Sequence, residues 1–356
     1  MVQRLLLFSS YAGGARGGTS QGLSRRLATV RGGSRAPSGA PRRAGCRLSG
    51  ARFVLVGLFL GFIACWLSSD ARAQALKIAT YNVENYGPAD RMTDAGYRQD
   101  YPKPEAEKLA LRQVIRGLAA DVLVLQEIGS PAHLAELQRD LRSEGFIYPH
   151  AALADAADAD RHVAVLANVP LRSVVTHREL AFTYFGKKER VKRGLLEFTL
   201  TTESGDVTCF AVHLKSRFTD RAEDPLSATR RSGEATAIRD LILRRFPSPG
   251  AARFVILGDC NDGRTSKALA FLQKRGATKI ATLLAAEDSR GEAWSHAFRR
   301  EETYSRVDHI LVSAPLLTGV DGGEAKIYDG PGVRGASDHR PVFVVLRKAT
   351  HPAKVD

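Results

Sequence analysis

The chain has 356 residues, enough for one large or two ordinary domains, and its 44% hydrophobic and 25% charged content is that of a soluble globular protein rather than a wholly disordered one. The net charge of +14 is unevenly spread: residues 1–75 hold eleven Arg, no Lys and one acid, Asp70, so the remainder is only mildly basic. The high overall charge is therefore no argument by itself for a nucleic-acid partner.

Residues 1–50 are rich in Gly, Ser, Ala and Arg without a sustained apolar period, and read as a disordered basic lead. Residues 51–75 read as signal-peptide-like. Their core, Phe53 to Leu67, is almost purely apolar, short for a membrane span and suited to a signal sequence. Arg47 and Arg52 precede it, and Ala71-Arg72-Ala73 offers small residues at a cleavage spacing. Export to a secreted or periplasmic location is the expectation. The alternatives are anchorage by residues 53–67, or a lipoprotein at Cys65, where Phe62-Ile63-Ala64-Cys65 loosely fits a lipidation box. Of the four cysteines, only Cys209 and Cys260 would survive such processing.

The globular part is expected over 76–348, with 349–356 as a tail. Leu76 to Asn85 begins as an alternating strand, which puts Asn82 and Glu84 on one side if the chain stays extended. Tyr86 to Pro104 reads as loop. Glu105 to Leu118 has helical spacing, with Leu109, Leu111, Val114, Ile115 and Leu118 apolar. Asp121 to Glu127 is apolar until its last two residues, as for a central strand that delivers Glu127 to an edge. A helix over Pro131 to Glu144 and a strand over Arg161 to Ala167 follow.

Gly194 to Leu200 and Val207 to Leu214 read as paired strands around the turn at 203–206. Helix Thr229 to Phe246 and strand Phe254 to Leu257, ending Gly258-Asp259-Cys260-Asn261-Asp262, complete a strand-helix-strand unit. A parallel crossover there brings His213 and Asp259 to one rim. Cys209 lies four residues back, on the order of 13 Å at strand rise, so no disulfide with Cys260 is expected. A helix over Ser266 to Arg275, a strand over Thr303 to Val312 and a last strand from Val342 to Leu346 close the chain. Gly335-Ala336-Ser337-Asp338-His339-Arg340-Pro341 immediately precedes that last strand.

Polar residues thus gather where apolar strands end. The motifs Tyr81-Asn82-Val83-Glu84-Asn85, Leu125-Gln126-Glu127, Val212-His213-Leu214-Lys215-Ser216, Gly258-Asp259-Cys260-Asn261-Asp262, Ser305-Arg306-Val307-Asp308 and Ser337-Asp338-His339-Arg340-Pro341 occur in this order. Together they resemble the endonuclease/exonuclease/phosphatase superfamily. The resemblance implies an α/β fold, a four-layer α/β/β/α sandwich of two packed mixed sheets flanked by helices. It also implies a metal-dependent phosphodiesterase, with a nuclease as the leading reading. A phosphatase or a sphingomyelinase-like phospholipase is the alternative.

The implied metal residues are Asn82, Glu84, Glu127 and Asp338, holding Mg²⁺, with Mn²⁺ or Ca²⁺ as substitutes; for Asp338 the alternative is a support of His339 rather than a metal ligand. The implied catalytic residues are His213, Asp259, Asn261, Asp308 and His339. Among the basic positions, Lys215 and Arg217 are the expected substrate contacts because they follow His213 directly. Few aromatics are interleaved with the basic positions beyond Tyr184, Phe185 and Phe218, so no base-stacking platform and no exposed aromatic hairpin is expected. The inositol phosphatase branch typically has Trp-Cys-Asp-Arg where this chain has Ser305-Arg306-Val307-Asp308, which argues against that branch. A nucleic acid or other phosphodiester is the expected partner of a monomer, with no stable membrane contact beyond the N-terminal segment.

Overall fold

A computed structural model describes residues 75–347 apart from 94 and 220. The residues expected to form the basic lead, the signal-like apolar segment with its cleavage spacing, Cys65 and the C-terminal tail lie outside the described residues. Two large sheets dominate the fold. The first has seven strands. These are β1 (Leu76–Tyr86), β2 (Val122–Ile128), β3 (His150–Leu153), β4 (His162–Ala167), β10 (Ala286–Glu287), β12 (Ala325–Ile327) and β13 (Val342–Leu346), in the order β10-β12-β13-β1-β2-β4-β3. The second has six: β5 (Leu171–Thr176), β6 (Leu196–Thr202), β7 (Gly205–His213), β8 (Phe254–Asp259), β9 (Thr282–Leu283) and β11 (Asp308–Val312). Their order is β9-β11-β8-β7-β6-β5. Both sheets are mixed, since β1 runs parallel to β2 and antiparallel to β13, and β8 parallel to β7 and antiparallel to β11.

Strand alternation explains the layers. Val122 and Val124 of β2, Cys209 and Ala211 of β7, and Val255 and Leu257 of β8 turn inward to one core between the sheets. The intervening Leu123 and Leu125 pack outward under α1 (Glu105–Leu118) and α2 (Pro131–Ser143). Phe210, Val212 and Ile256 pack outward under α3 (Ala228–Arg245) and α4 (Lys267–Gln273). Each of these three strands is thus apolar on both faces, as a strand covered on both sides must be. The result is the expected four-layer sandwich. Cys209 faces the inner core and Cys260 the outer one, and both thiols are free and buried.

Several local expectations change. Leu109 of α1 is exposed, and the buried stripe is Leu111, Val114, Ile115 and Leu118. Residues 86–104 hold a hairpin, Ala89–Thr93 with Gly96–Tyr101, whose mostly exposed polar strands carry no apolar signal. A second hairpin, Ala181–Tyr184 with Lys187–Arg190, carries Phe185 at its exposed turn. The strand expected over 303–312 is broken. Thr303–Ser305 pairs with His296–Phe298, and Asp308–Val312 alone joins the second sheet as β11. Among the described residues no helix is long and apolar enough to cross a membrane.

Candidate active site

The site is the polar end of the inner core. Asn82, His213, Asp259 and Asp308 keep the alternation of the inward apolar residues on their strands, so they face the space between the sheets at one rim. Pairing aligns them: His213 lies opposite Asp259 across the parallel β7–β8 ladder, and Asp259 opposite Asp308 across the antiparallel β8–β11 ladder. Asn82 Nδ2 donates to Asp259 Oδ2 at 3.0 Å and so joins the two sheets. Gly258 makes the approach of β8 to β7 possible. Its φ is +149°, and an added Cβ would lie 1.9 Å from the Val212 carbonyl oxygen.

Glu84 and Glu127 reach the rim another way. The β1–β2 register shifts after Asn82, and Glu84, Asn85 and Glu127 take left-handed φ values of +49°, +53° and +64°. Such conformations are costly for residues with side chains and concentrate at functional sites. The bulge turns Glu127 so that its Oε2 accepts from Asn85 N at 3.0 Å, while Oε1 lies 3.9 Å from His213 Nε2. Glu84 Oε2 accepts the backbone N–H of Asp338 at 2.8 Å, and Asn82 Oδ1 accepts that of Glu84 at 3.0 Å.

The loop before β13 carries the remaining groups. His339 Nδ1 donates to Asp308 Oδ2 at 2.8 Å, and Ser295 Oγ donates to the same oxygen at 2.7 Å. Ser337 Oγ donates to the Asn82 carbonyl at 2.8 Å and accepts from His339 N at 3.0 Å, which locks the loop to β1. Asn261, at φ +52°, donates its N–H to Asp259 Oδ1 at 2.7 Å and its amide to the Leu214 carbonyl at 3.0 Å.

Burial sets the electrostatics. Asp259 is pushed up to about 7 by burial, with Asp308 adding to the effect. Burial works against a charged His339, but the carboxylates, Asp308 foremost, win and hold its imidazolium well above the ordinary histidine range. His213 moves the other way: burial, then the charge of Arg193, keeps it neutral. Burial and the Asp338 charge raise Glu84. Asp338 is lowered to about 2 because its contact with His296 and the charge of His339 outweigh burial.

Lys215 and Arg217 are not gathered into this set. Lys215 Nζ turns back into its own loop, bonding Ser216 Oγ at 3.2 Å and the Phe218 carbonyl. Burial and nearby Arg193 lower it to about 8. Arg217 is exposed. Arg231 is buried and occupied by Asp262 and by the Leu226 and Lys215 carbonyls.

Two residues that no motif flagged complete the site: Ser295 and His296. Their segment lies antiparallel to the 338–340 loop through Ala297 N to Asp338 O at 2.9 Å and Arg340 N to Ser295 O at 2.7 Å. The His296 ring stands 4.5 Å from that of His339, and its Nε2 is 3.5 Å from Asp338 Oδ2. The local signal was a lone Trp294-Ser295-His296 between charged stretches, without strand periodicity. Beside it lies a groove of about 700 Å³ lined by Trp294, Tyr304, Arg290, Arg306 and Arg334. The Trp294 and Tyr304 rings are 4.8 Å apart, an aromatic shelf absent from the sequence reading.

A model of the endonuclease/exonuclease/phosphatase family matches residues 79–339. The chain belongs to this family. Family members are hydrolases of phosphoester bonds, generally dependent on a divalent metal. No curated protein matches the chain. Among solved structures, the chain is similar to the human Nocturnin catalytic domain with bound sulfate, at 15% identity and TM-score 0.52, covering 76% of this chain and 93% of that one. It is also similar to sphingomyelinase C from Streptomyces griseocarneus, at 17% identity and TM-score 0.52, covering 77% and 100%. A family protein from Leptotrichia buccalis aligns at 16% identity and TM-score 0.52, over 77% and 100%. At such identities the likeness is one of fold.

The donors fit the family's divalent ion. Asp259, Asp308 and Glu127 bring three carboxyl groups to the rim, Asp308 Oδ1 is buried with no hydrogen-bond partner, and Glu127 and Asn82 supply hard oxygens. The structure does not gather the expected metal residues into one tight set. The compact trios of ligand atoms among the described residues are His296–Asp338–His339 and Asp259–Asp308–His339, and Glu127 belongs to neither.

Proposed function

We propose that the protein is a secreted, divalent-metal-dependent phosphodiesterase, and that its substrate is a nucleic acid. The observation that supports this best is the buried Asp308–His339 pair beside buried Asp259, with Glu127 across the rim. Asp259 accepts the proton of the attacking water, and Asn261, tied to both Asp259 oxygens, holds its carboxylate in place. Asp308 accepts Nδ1–H and holds His339 as the imidazolium, so that its second N–H, at Nε2, meets a phosphate oxygen and the charged ring stabilises the pentavalent state. Neutral His213 backs the same phosphate. Mg²⁺, held by Glu127 and Asn82 with Glu84 behind them, would polarise the phosphate and offset its charge. The Trp294–Tyr304 shelf and its arginines suit nucleotides flanking the scissile bond, by stacking and phosphate contact.

A second reading has its own support. Phe185 on its hairpin, Phe218 at 79% exposure and Leu226 at 60% form apolar points beside basic residues, which suits a lipid phosphodiester such as sphingomyelin. We infer export from the apolar run at 53–67, a monomeric state and a single catalytic domain over 76–348. The test is to incubate the purified full chain with plasmid DNA, RNA, sphingomyelin vesicles and bis-p-nitrophenyl phosphate, with Mg²⁺, Mn²⁺ or EDTA. Nucleic-acid cleavage abolished by EDTA is expected. Lipid or model-ester hydrolysis without nucleic-acid cleavage would replace the first reading by the second, and EDTA-resistant turnover would end both.

A further inference from the structure

We propose that His296, Asp338 and His339 form a binding site for a transition-metal dication of the Zn²⁺ or Co²⁺ type, separate from the hard-cation position at Glu127. One ligand atom from each of the three residues lies within 4.8 Å of the others. His296 Nε2 is 3.5 Å from Asp338 Oδ2, and His339 Nε2 is 3.9 Å from Asp338 Oδ1. Ligands about 2.0–2.1 Å from a tetrahedral zinc ion stand roughly 3.4 Å from one another, so the three donors, now within 4.8 Å, must draw together and Asp338 must turn one oxygen to both imidazoles.

Each donor is already oriented from behind. His339 gives Nδ1–H to Asp308 Oδ2 at 2.8 Å, the carboxylate–imidazole arrangement that fixes the tautomer of a metal-binding histidine and leaves Nε2 free to ligate. His296 Nδ1 lies 3.5 Å from Ser305 Oγ, which turns its Nε2 toward Asp338. The Asp338 backbone is held by Glu84 and its Oδ1 lies 3.5 Å from Ser337 Oγ. The flanking segment is pinned in turn by Arg340, whose guanidinium lies 3.4 Å over the Trp294 ring and bonds Asp288 at 2.7 Å. His296 and Asp338 are half-buried, and His339 is buried behind them.

The donor chemistry sets the choice of ion. Two imidazoles and one carboxylate favour Zn²⁺ or Co²⁺ and hold Mg²⁺ poorly, whereas Glu127 and Asn82 offer only oxygen. This site holds or fails independently of the hydrolytic reading. Where that reading applies, an ion here occupies His339 Nε2 and so removes it from the phosphate.

The test is a Co²⁺ titration of the chelator-stripped full chain in excess Mg²⁺, followed by visible d–d absorption and by calorimetry. One Co²⁺ bound with d–d bands is expected. H296A should weaken binding roughly ten-fold or more, by analogy with losses at metal sites. H296Q, which keeps a polar side chain, should do the same with an unchanged melting temperature in the stripped protein. E127Q should keep Co²⁺ affinity within about two-fold, since Glu127 is not among the three donors. Wild-type Co²⁺ affinity in both His296 variants would overturn the proposal, as would loss of the Co²⁺ signal in E127Q.

Discussion

His339 Nδ1 and Asp308 Oδ2 stand 2.8 Å apart, although they come from different elements and are separated by thirty-one positions in the chain. Asp308 is fully buried at the start of β11 and faces Asp259 across the ladder. One carboxylate therefore orients the imidazole and raises the proton affinity of its neighbouring acid.

D308N should lower turnover on the preferred phosphodiester by about 10²–10⁴, the usual worth of a positioned acid–base group. It should also move the basic limb of the kcat/KM profile to lower pH. Asp308 favours the imidazolium, so its removal lowers the pH at which His339 loses its proton. A variant with reduced rate and an unshifted profile would break the link between these two residues.

Asp259 carries a cost that pH reveals. Its carboxyl titrates at about 7 in the fold against 3.8 as the ordinary value. Between these values the unfolded chain has released the proton and the folded one retains it. Stability therefore falls as pH rises through this window, and the loss is complete above about 7. In metal-free protein, D259N should gain several degrees in Tm relative to wild type between pH 4 and pH 8. It should lose turnover by roughly 10²-fold or more. Thermal melts across that range check the first outcome; a constant Tm difference would contradict the burial account.

Glu127 Oε1 points across the rim while Oε2 is tied to Asn85 N. E127Q preserves the shape and removes the charge, and should raise the Mg²⁺ concentration for half-maximal activity roughly ten-fold or more. Full EDTA treatment should abolish turnover in both proteins, with recovery on Mg²⁺ return. Equal Mg²⁺ dependence in variant and wild type would remove Glu127 from the cation position.

Gly258→Ala tests the joint between β7 and β8. The new Cβ would meet the Val212 carbonyl oxygen at 1.9 Å, that oxygen is backbone, and both residues sit in neighbouring strands in the middle of a sheet. Neither side can yield cheaply, so a loss on the order of 3 kcal/mol or more is expected from denaturant unfolding, together with displacement of Asp259 and loss of activity. Near wild-type stability would mean that the ladder relaxes there without cost.

The strands and the rim were legible because two local patterns agree. Runs such as Val122–Leu125 and Phe254–Leu257 are apolar on both faces, which only a strand covered on both sides explains, and each ends in polar residues. The helix between β7 and β8 was enough to bring His213 and Asp259 to the same end, and the paired register places them opposite each other. Motif order supplied the rest of the catalytic set. What the chain could not announce were contacts made by short irregular segments. His296 meets His339 through an isolated bridge and two backbone hydrogen bonds, with no periodicity to mark it. Asp338 was open between metal ligand and support, and the fold places it against His296 as well as beside His339. Lys215 lies two positions after His213, yet its amine turns into its own loop. Sequence alone determined which strands carry polar ends, because alternation and burial are local. Tertiary structure decided which of those ends touch, because loop placement depends on hydrogen bonds between residues far apart in the chain.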